Sequence, residues 1–260
     1  MKHIFFYETG SGFPLIFLHG FCESSDIWMA LSEELSDRYR IICPDLPGFG
    51  QSPLPEEPFS LQSIGDGLVA WLKNMDIDQC IVIGHSLGGY ISLEILRKHP
   101  DFVAGIGLLN SSAFGDSQEK KDNRNKLIEF IDRNGVEPFI NTFVPSLFYP
   151  PTIAKHQETL ESISSKAMDI DPQSVMQYAA AMRERPDSVD LLHKYRDRIM
   201  LIAGEFDQNV PLEKSLQMKK ILDDDNVSIV PDSAHMSLFE QSEMCYGAIR
   251  KFAGHLTAQP

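Results

Sequence analysis

The stretch Ile81-Val82-Ile83-Gly84-His85-Ser86-Leu87-Gly88-Gly89-Tyr90-Ile91 decides the fold. A β-branched apolar run enters Gly-x-Ser-x-Gly, and a helix-compatible segment from Leu87 to His99 leaves it before Pro100 stops it. That pattern is a strand, a sharp turn and a helix with Ser86 at the apex, the arrangement of a nucleophile elbow. Ser86 has to adopt a strained backbone conformation that lifts its hydroxyl above the sheet edge. Gly84 and Gly88 flank it because a Cβ at either position would collide where helix and strand cross. The helix start behind Ser86 offers free N–H groups and a partial positive charge, which suits an anion.

Outward from this turn the alternation repeats. Residues 3–8 read as a short strand, and Pro14 to Leu18 is an apolar strand ending in His19-Gly20-Phe21. Asp26 to Leu35 is helical, and the strand Tyr39 to Cys43 runs into a turn-rich loop from Pro44 to Ser52. Leu61 to Met75 is helical, with Ile64, Leu68, Trp71, Leu72 and Met75 on one face. Val103 to Leu109 is the strand after the elbow helix. Much later, Ile199 to Ala203 ends in Gly204-Glu205-Phe206-Asp207, and a helix covers Leu212 to Leu222. Val227 to Val230 ends in Pro231-Asp232-Ser233-Ala234-His235 ahead of a terminal helix over Ser237 to Phe252. Apolar strands alternating with helices predict an α/β fold with a mostly parallel sheet covered on both faces. Functional loops then gather at the carboxyl ends of the strands.

Between Ser112 and Tyr195 the alternation stops, and only helix-like segments occur near 118–133, 136–149, 152–168 and 173–185. So long an interval is not a structureless loop. It predicts a helical cap over 113–195 inserted into a core built from 1–112 and 196–260. Val136, Phe139, Ile140, Phe143, Val144 and Leu147 repeat at helical spacing, a stripe that either glues the cap to the core or lines a pocket. Phe139, Phe143, Phe148 and Tyr149 are the candidates for an apolar pocket wall.

The 260 residues carry 37 Asp+Glu against 23 Lys+Arg, a formal charge of −14. Such a field repels phosphate backbones and anionic headgroups, so nucleic acid and membrane surfaces are poor partners. Cys22, Cys43, Cys80 and Cys245 form no Cys-x-x-Cys pair or metal-like cluster and read as reduced core thiols. The N-terminal residues lack a signal h-region and no run is long enough for a membrane span, so the expected location is cytoplasmic. Oligomeric state has no sequence signature.

A serine hydroxyl needs a base, and the base needs an orienting acceptor. Of the eight histidines, only His235 follows a late strand on the rim where Ser86 is expected. His85 neighbours Ser86 but is expected to point the opposite way, and His19 is expected to shape its own turn. Asp207 is the candidate acceptor. Glu205 is its rival nearer the strand end, and Asp232, three residues from His235, is poorly placed to orient that ring.

Ser86…Asp207…His235 is the chain order of the α/β-hydrolase triad. With Gly84-His85-Ser86-Leu87-Gly88, Gly204-Glu205-Phe206-Asp207, Ser233-Ala234-His235 and His19-Gly20-Phe21, the sequence resembles the α/β-hydrolase family in its capped, cofactor-independent branch. The resemblance covers the sheet domain at both ends of the chain, while the cap carries no matching motif. It implies Ser86 as nucleophile, His235 as base, Asp207 as orienting acid, and the backbone N–H groups of Phe21 and Leu87 as the oxyanion hole. No cofactor or metal is implied. Trp28, Asp45 and the Gly48/Gly50 turn also resemble the family and read as structural. Serine at 86 argues against the dehalogenase and epoxide hydrolase branches, which need a carboxylate nucleophile. His19-Gly20-Phe21 also departs from the His-Gly-Gly-Gly motif of many lipases.

The expected activity is hydrolysis of a small or medium, largely apolar carboxylic ester, lactone or thioester through an acyl-enzyme. Carbon–carbon bond hydrolysis of ring-cleavage products and cofactor-free perhydrolysis use the same residues and stay open. So does a ligand receptor with slow turnover.

Overall fold

The computed structural model describes residues 3–258. A seven-stranded sheet consists of β1 (Phe6–Thr9), β2 (Phe13–Leu18), β3 (Tyr39–Pro44), β4 (Cys80–His85), β5 (Val103–Leu109), β6 (Ile199–Gly204) and β7 (Val227–Val230), in the order β1-β3-β2-β4-β5-β6-β7. All neighbours run parallel except β1, which pairs antiparallel with β3 at the edge. The mostly parallel sheet predicted from apolar runs is therefore present, and β4 is buried along its whole length. β1 starts later than its sequence pattern indicated.

Helices α1 (Met29–Leu35), α2 (Leu61–Lys73) and α3 (Leu87–Lys98) connect the successive strands from β2 to β5. Ser60 starts α2 with a reciprocal capping box to Ser63, and the face of Leu61, Ile64, Leu68 and Leu72 is buried. Between β5 and β6 come α4 (Gln118–Asn134), α5 (Glu137–Ser146), α6 (Gln157–Met168), α7 (Pro172–Glu184) and α8 (Val189–Lys194), with no strand among them. α9 (Leu212–Lys219) precedes β7, and α10 (Ser237–Glu240) and α11 (Ser242–Thr257) close the chain. The single terminal helix expected from the sequence is thus two, separated at Gln241, which leaves the helical region with φ −140° and ψ 53°.

Strand order reverses direction on either side of β2, because β3 lies on one flank and β4 on the other. The crevice beyond the carboxyl ends at such a reversal is where open α/β sheets bind ligands. Leu18 of β2 sits in register with Gly84 of β4, so the loops carrying Phe21 and Ser86 leave from adjacent positions. β6 and β7 end in register at Gly204 and Val230, which launches the Asp207 and His235 loops side by side.

Candidate active site

From Cys80 to Leu96 every residue except Ser86 is buried. Ser86 has φ 50° and ψ −112°, a conformation that L residues rarely adopt, and its side chain makes no capping bond to α3. The hydroxyl is therefore not consumed by the helix. Its backbone is pinned from outside: its N–H donates to Leu109 O at 2.9 Å, and Ser111 Oγ donates to its carbonyl at 2.7 Å. A Cβ on Gly84 would overlap the backbone of Gly88, and one on Gly88 would overlap the Leu18 carbonyl. The glycines set how closely α3 crosses the sheet.

His235 and Asp207 meet. His235 Nδ1 donates to Asp207 Oδ2 at 2.8 Å, and both side chains are buried. Glu205 and Asp232 are exposed, so neither rival carboxylate is in this position. Asp207 Oδ1 accepts the N–H groups of Asn209 at 2.8 Å and Val210 at 2.9 Å, and Oδ2 accepts Asn110 Nδ2 at 3.1 Å. Burial pushes this carboxyl up. The charge and hydrogen bond of His235 and these amides outweigh it, leaving the carboxyl below its ordinary value.

The peptide around His235 is fixed on every side. Its N–H donates to Leu147 O at 2.9 Å, a bond from the β7 loop to the end of α5. Its carbonyl accepts His85 Nε2 at 2.9 Å. Ala234 N–H donates to Glu240 Oε2 at 2.7 Å, and Ala234 O accepts Asn110 Nδ2 at 2.9 Å. Glu240 Oε1 also accepts Tyr149 N and Thr152 Oγ1, each at 2.6 Å. The short α10 returns that carboxylate to the loop.

His85 does more than point away from Ser86. It is buried with its Nδ1 2.9 Å from Glu23 Oε2 and its Nε2 on the His235 carbonyl. A carbonyl only accepts, and Glu23 Oε2 already accepts the Gly20 N–H at 2.6 Å, so both ring nitrogens act as donors. Burial opposes charge on either partner, yet their mutual attraction prevails: His85 is held above its ordinary value and Glu23 below. The ion pair ties the loop after β2 to the end of β4, and His85 Nε2 extends the link to the loop after β7. His19 Nδ1 faces Gly20 O in its own turn, as expected, while its Nε2 accepts Leu46 N–H at 2.9 Å and so ties that turn to the loop after β3. Burial pushes His19 down toward the neutral form. Asp45 accepts Ser25 N–H at 2.7 Å and Gln51 N–H at 2.8 Å and braces the early loops.

Ser86 and His235 line one cavity of about 320 Å³. Leu87 opens α3, so its N–H has no intrahelical acceptor. Gly20 N–H is engaged with Glu23, and the next amide of that loop belongs to Phe21, whose side chain also lines the cavity. The apolar wall comes from Phe21, Leu127, Phe139, Phe143 and Met182, and the polar wall from Lys120, Asn123, Arg124, Gln208 and Asn209. The α5 stripe divides: Phe139 and Phe143 stack at 4.8 Å and face the cavity, whereas Val136, Ile140, Val144 and Leu147 are buried. Phe148 and Tyr149 are not part of the wall; Phe148 is buried and Tyr149 stacks on Phe206 at 4.3 Å. The four cysteines are free and buried, and burial pushes Cys43 and Cys245 up to about 12. No described helix is long and apolar enough to cross a membrane.

Glu23, Asn110, Glu240 and the cationic pair Lys120/Arg124 were not legible as site residues. Asn110 alone had a usable signal, since it follows β5 on the same rim as Ser86 and Asp207.

The fold and this rim define a known class. The sequence profile of the alpha/beta hydrolase fold matches residues 14–242, and the chain belongs to that family. A thermophilic esterase from Thermogutta terrifontis, solved with malate bound, superposes with a TM-score of 0.90 at 32% identity, covering 97% of this chain and 93% of that one. The 2-(acetamidomethylene)succinate hydrolase of Mesorhizobium japonicum is 24% identical over 254 residues, 94% of this chain and 89% of its own. The dihydrolipoyllysine-residue acetyltransferase component of the Pseudomonas putida acetoin cleaving system is 26% identical over 246 residues, and the match takes in 63% of its length.

Proposed function

We propose that this chain is a serine hydrolase of small or medium carboxylic esters, lactones or thioesters, with Ser86 as nucleophile, His235 as base and Asp207 as orienting acid. The observation that carries the reading is the strained, half-open Ser86 sharing a cavity with His235, whose far nitrogen is bonded at 2.8 Å to the buried Asp207. The esterase at 32% identity supports the ester class.

In this mechanism Ser86 Oγ attacks the carbonyl carbon and its proton passes to His235 Nε2. Asp207 fixes the Nδ1–H tautomer and stabilises the imidazolium. The backbone N–H groups of Leu87 and Phe21 receive the oxyanion, where one such donor contributes about 3 kcal/mol to the transition state. The bond from the carbonyl carbon to the leaving oxygen, or to sulfur in a thioester, breaks, the leaving atom takes the proton from Nε2, and water repeats the sequence on the acyl-enzyme. The helices within 113–195 act as a cap whose Phe139 and Phe143 shape the acyl side.

A fluorophosphonate probe should label the wild-type protein at Ser86 and leave Ser86→Ala unlabelled, with turnover of short-chain chromogenic esters lost in the variant. Equal turnover by Ser86→Ala would overturn the assignment.

A further inference from the structure

The chain carries 37 Asp+Glu against 23 Lys+Arg, yet no carboxylate lines the cavity that holds Ser86. Two cations do. Lys120, Asn123 and Arg124 fall at i, i+3 and i+4 on one face of α4, and all three line that cavity. A surface that follows overall composition would place acids here.

The local charge is also left partly unanswered. Asp116 is buried and is the acid behind this wall: its Oδ2 accepts Arg124 Nε at 3.3 Å, and its Oδ1 accepts Arg185 Nη1 at 2.8 Å. One carboxylate therefore faces two guanidinium groups, with the Lys120 ammonium nearby. Arg185 is directed into the scaffold behind the wall, bonding Met182 O at 2.9 Å and Phe114 O at 3.0 Å and lying 3.9 Å over the Tyr90 ring. Arg124 is engaged only through Nε, and its terminal Nη1 and Nη2 have no hydrogen-bond partner among the described residues. Lys120 Nζ donates to Asn209 O at 2.9 Å, with two further N–H groups to give. A planar guanidinium end with both nitrogens free matches a carboxylate.

We propose that Lys120 and Arg124 form a carboxylate-binding subsite, so that the substrate is an ester or lactone bearing a second, ionised carboxylate. The inference rests on the Ser86 hydrolase reading and deepens it by naming the substrate class. The reacting carbonyl lies at Ser86, the apolar part against Phe139 and Phe143, and the anionic end on α4. Such charge-assisted bonds give roughly a 10- to 100-fold preference, reduced by salt because both cations are reached by solvent.

Two matched pairs test it by kcat/KM: phenyl acetate against 4-acetoxybenzoate, with the carboxylate on the leaving side, and 4-nitrophenyl hexanoate against mono-4-nitrophenyl adipate, with it on the acyl side. In at least one pair the carboxylated ester should be preferred roughly 10- to 100-fold. The ratio should collapse toward one in Arg124→Gln/Lys120→Gln and be kept only in part by Arg124→Lys, which retains the charge and loses the two-pronged guanidinium end. Lys126→Gln, the loss of one exposed positive charge on the same helix, should leave the ratio unmoved. Turnover of the neutral esters with no preference in either pair overturns the subsite alone, as does a preference that the double variant retains. No turnover of any of the four by wild-type protein overturns the hydrolase reading with it.

Discussion

The two walls of the cavity are built on different terms. On the sheet side the groups that hold the loops are paired: Asp207 accepts four hydrogen bonds, the His235 peptide is held at both its N–H and its carbonyl, and His85 bridges Glu23 to that carbonyl. On the helical side Lys120 is exposed, Arg124 is half-buried, and Phe139 and Phe143 are stacked but only partly covered. The sheet side thus has its loops tied at several points, the condition that a bond-making site requires. The helical side presents groups that can be exchanged without touching the scaffold. On the proposed hydrolase reading, chemistry and selectivity therefore fall to separate walls.

Breaking the sheet wall at its centre has the largest effect. Ser86→Ala should lower kcat by about 10⁴-fold or more, and Asp207→Asn by roughly 10⁴-fold through the wrong His235 tautomer. Steady-state turnover of a chromogenic ester, with far-ultraviolet circular dichroism as the fold control, measures both.

Removing one member of the buried ion pair comes next. Glu23→Gln should destabilise the protein by about 3–5 kcal/mol in urea unfolding, because it removes the carboxylate that compensates the buried His85 imidazole. Its pH dependence has a definite sign. Glu23 is lowered in the folded state, so its stabilisation is present above its unfolded value and lost as pH falls through the folded one. His85 is raised, so its share is present below its unfolded value and lost as pH rises through the folded one. The gap between wild type and Glu23→Gln should be widest between those limits and narrow beyond either.

Asn110→Ala should cost about 1–3 kcal/mol, since it leaves the Ala234 carbonyl unpaired and takes one donor from Asp207. Asp207 itself is lowered, so its stabilisation holds above its unfolded value and disappears in acid as pH drops through the folded one. Thermal melts of Asp207→Asn across acidic pH should therefore lack that limb.

The smallest change belongs to the helical wall. Phe143→Ala should cost about 1 kcal/mol of stability and raise KM for apolar acyl chains more than it lowers kcat. An equal loss of kcat would mean that this wall also positions the reacting atoms, and the separation of the two walls would fail.

How much of this was legible follows from how far apart the interacting residues lie in the chain. The elbow could be read because its constraint is local: Gly84 and Gly88 are dictated by backbone that lies within five residues of Ser86 or on the adjoining strand. Asp207 and His235 could be placed because each follows an apolar strand by a few residues. Glu23 could not, since its partner His85 is 62 positions away and a lone acid in a loop has no periodicity. Asn110 pairs with Asp207 across 97 positions. The α5 stripe had two readings because helical spacing fixes which residues share a face and leaves open what that face meets.

The sequence by itself determined the alternating sheet, the strained serine turn, and the three strand ends that bear Ser86, Asp207 and His235, because backbone sterics and apolar periodicity act over short spans. Only the tertiary structure decided that His85 braces Glu23 to the His235 carbonyl, that Glu240 returns to the His235 loop, and that an acidic chain turns Lys120 and Arg124 toward the cavity that holds Ser86. Those outcomes depend on which distant groups become neighbours once the core is packed, and burial then forces each polar group to find a partner.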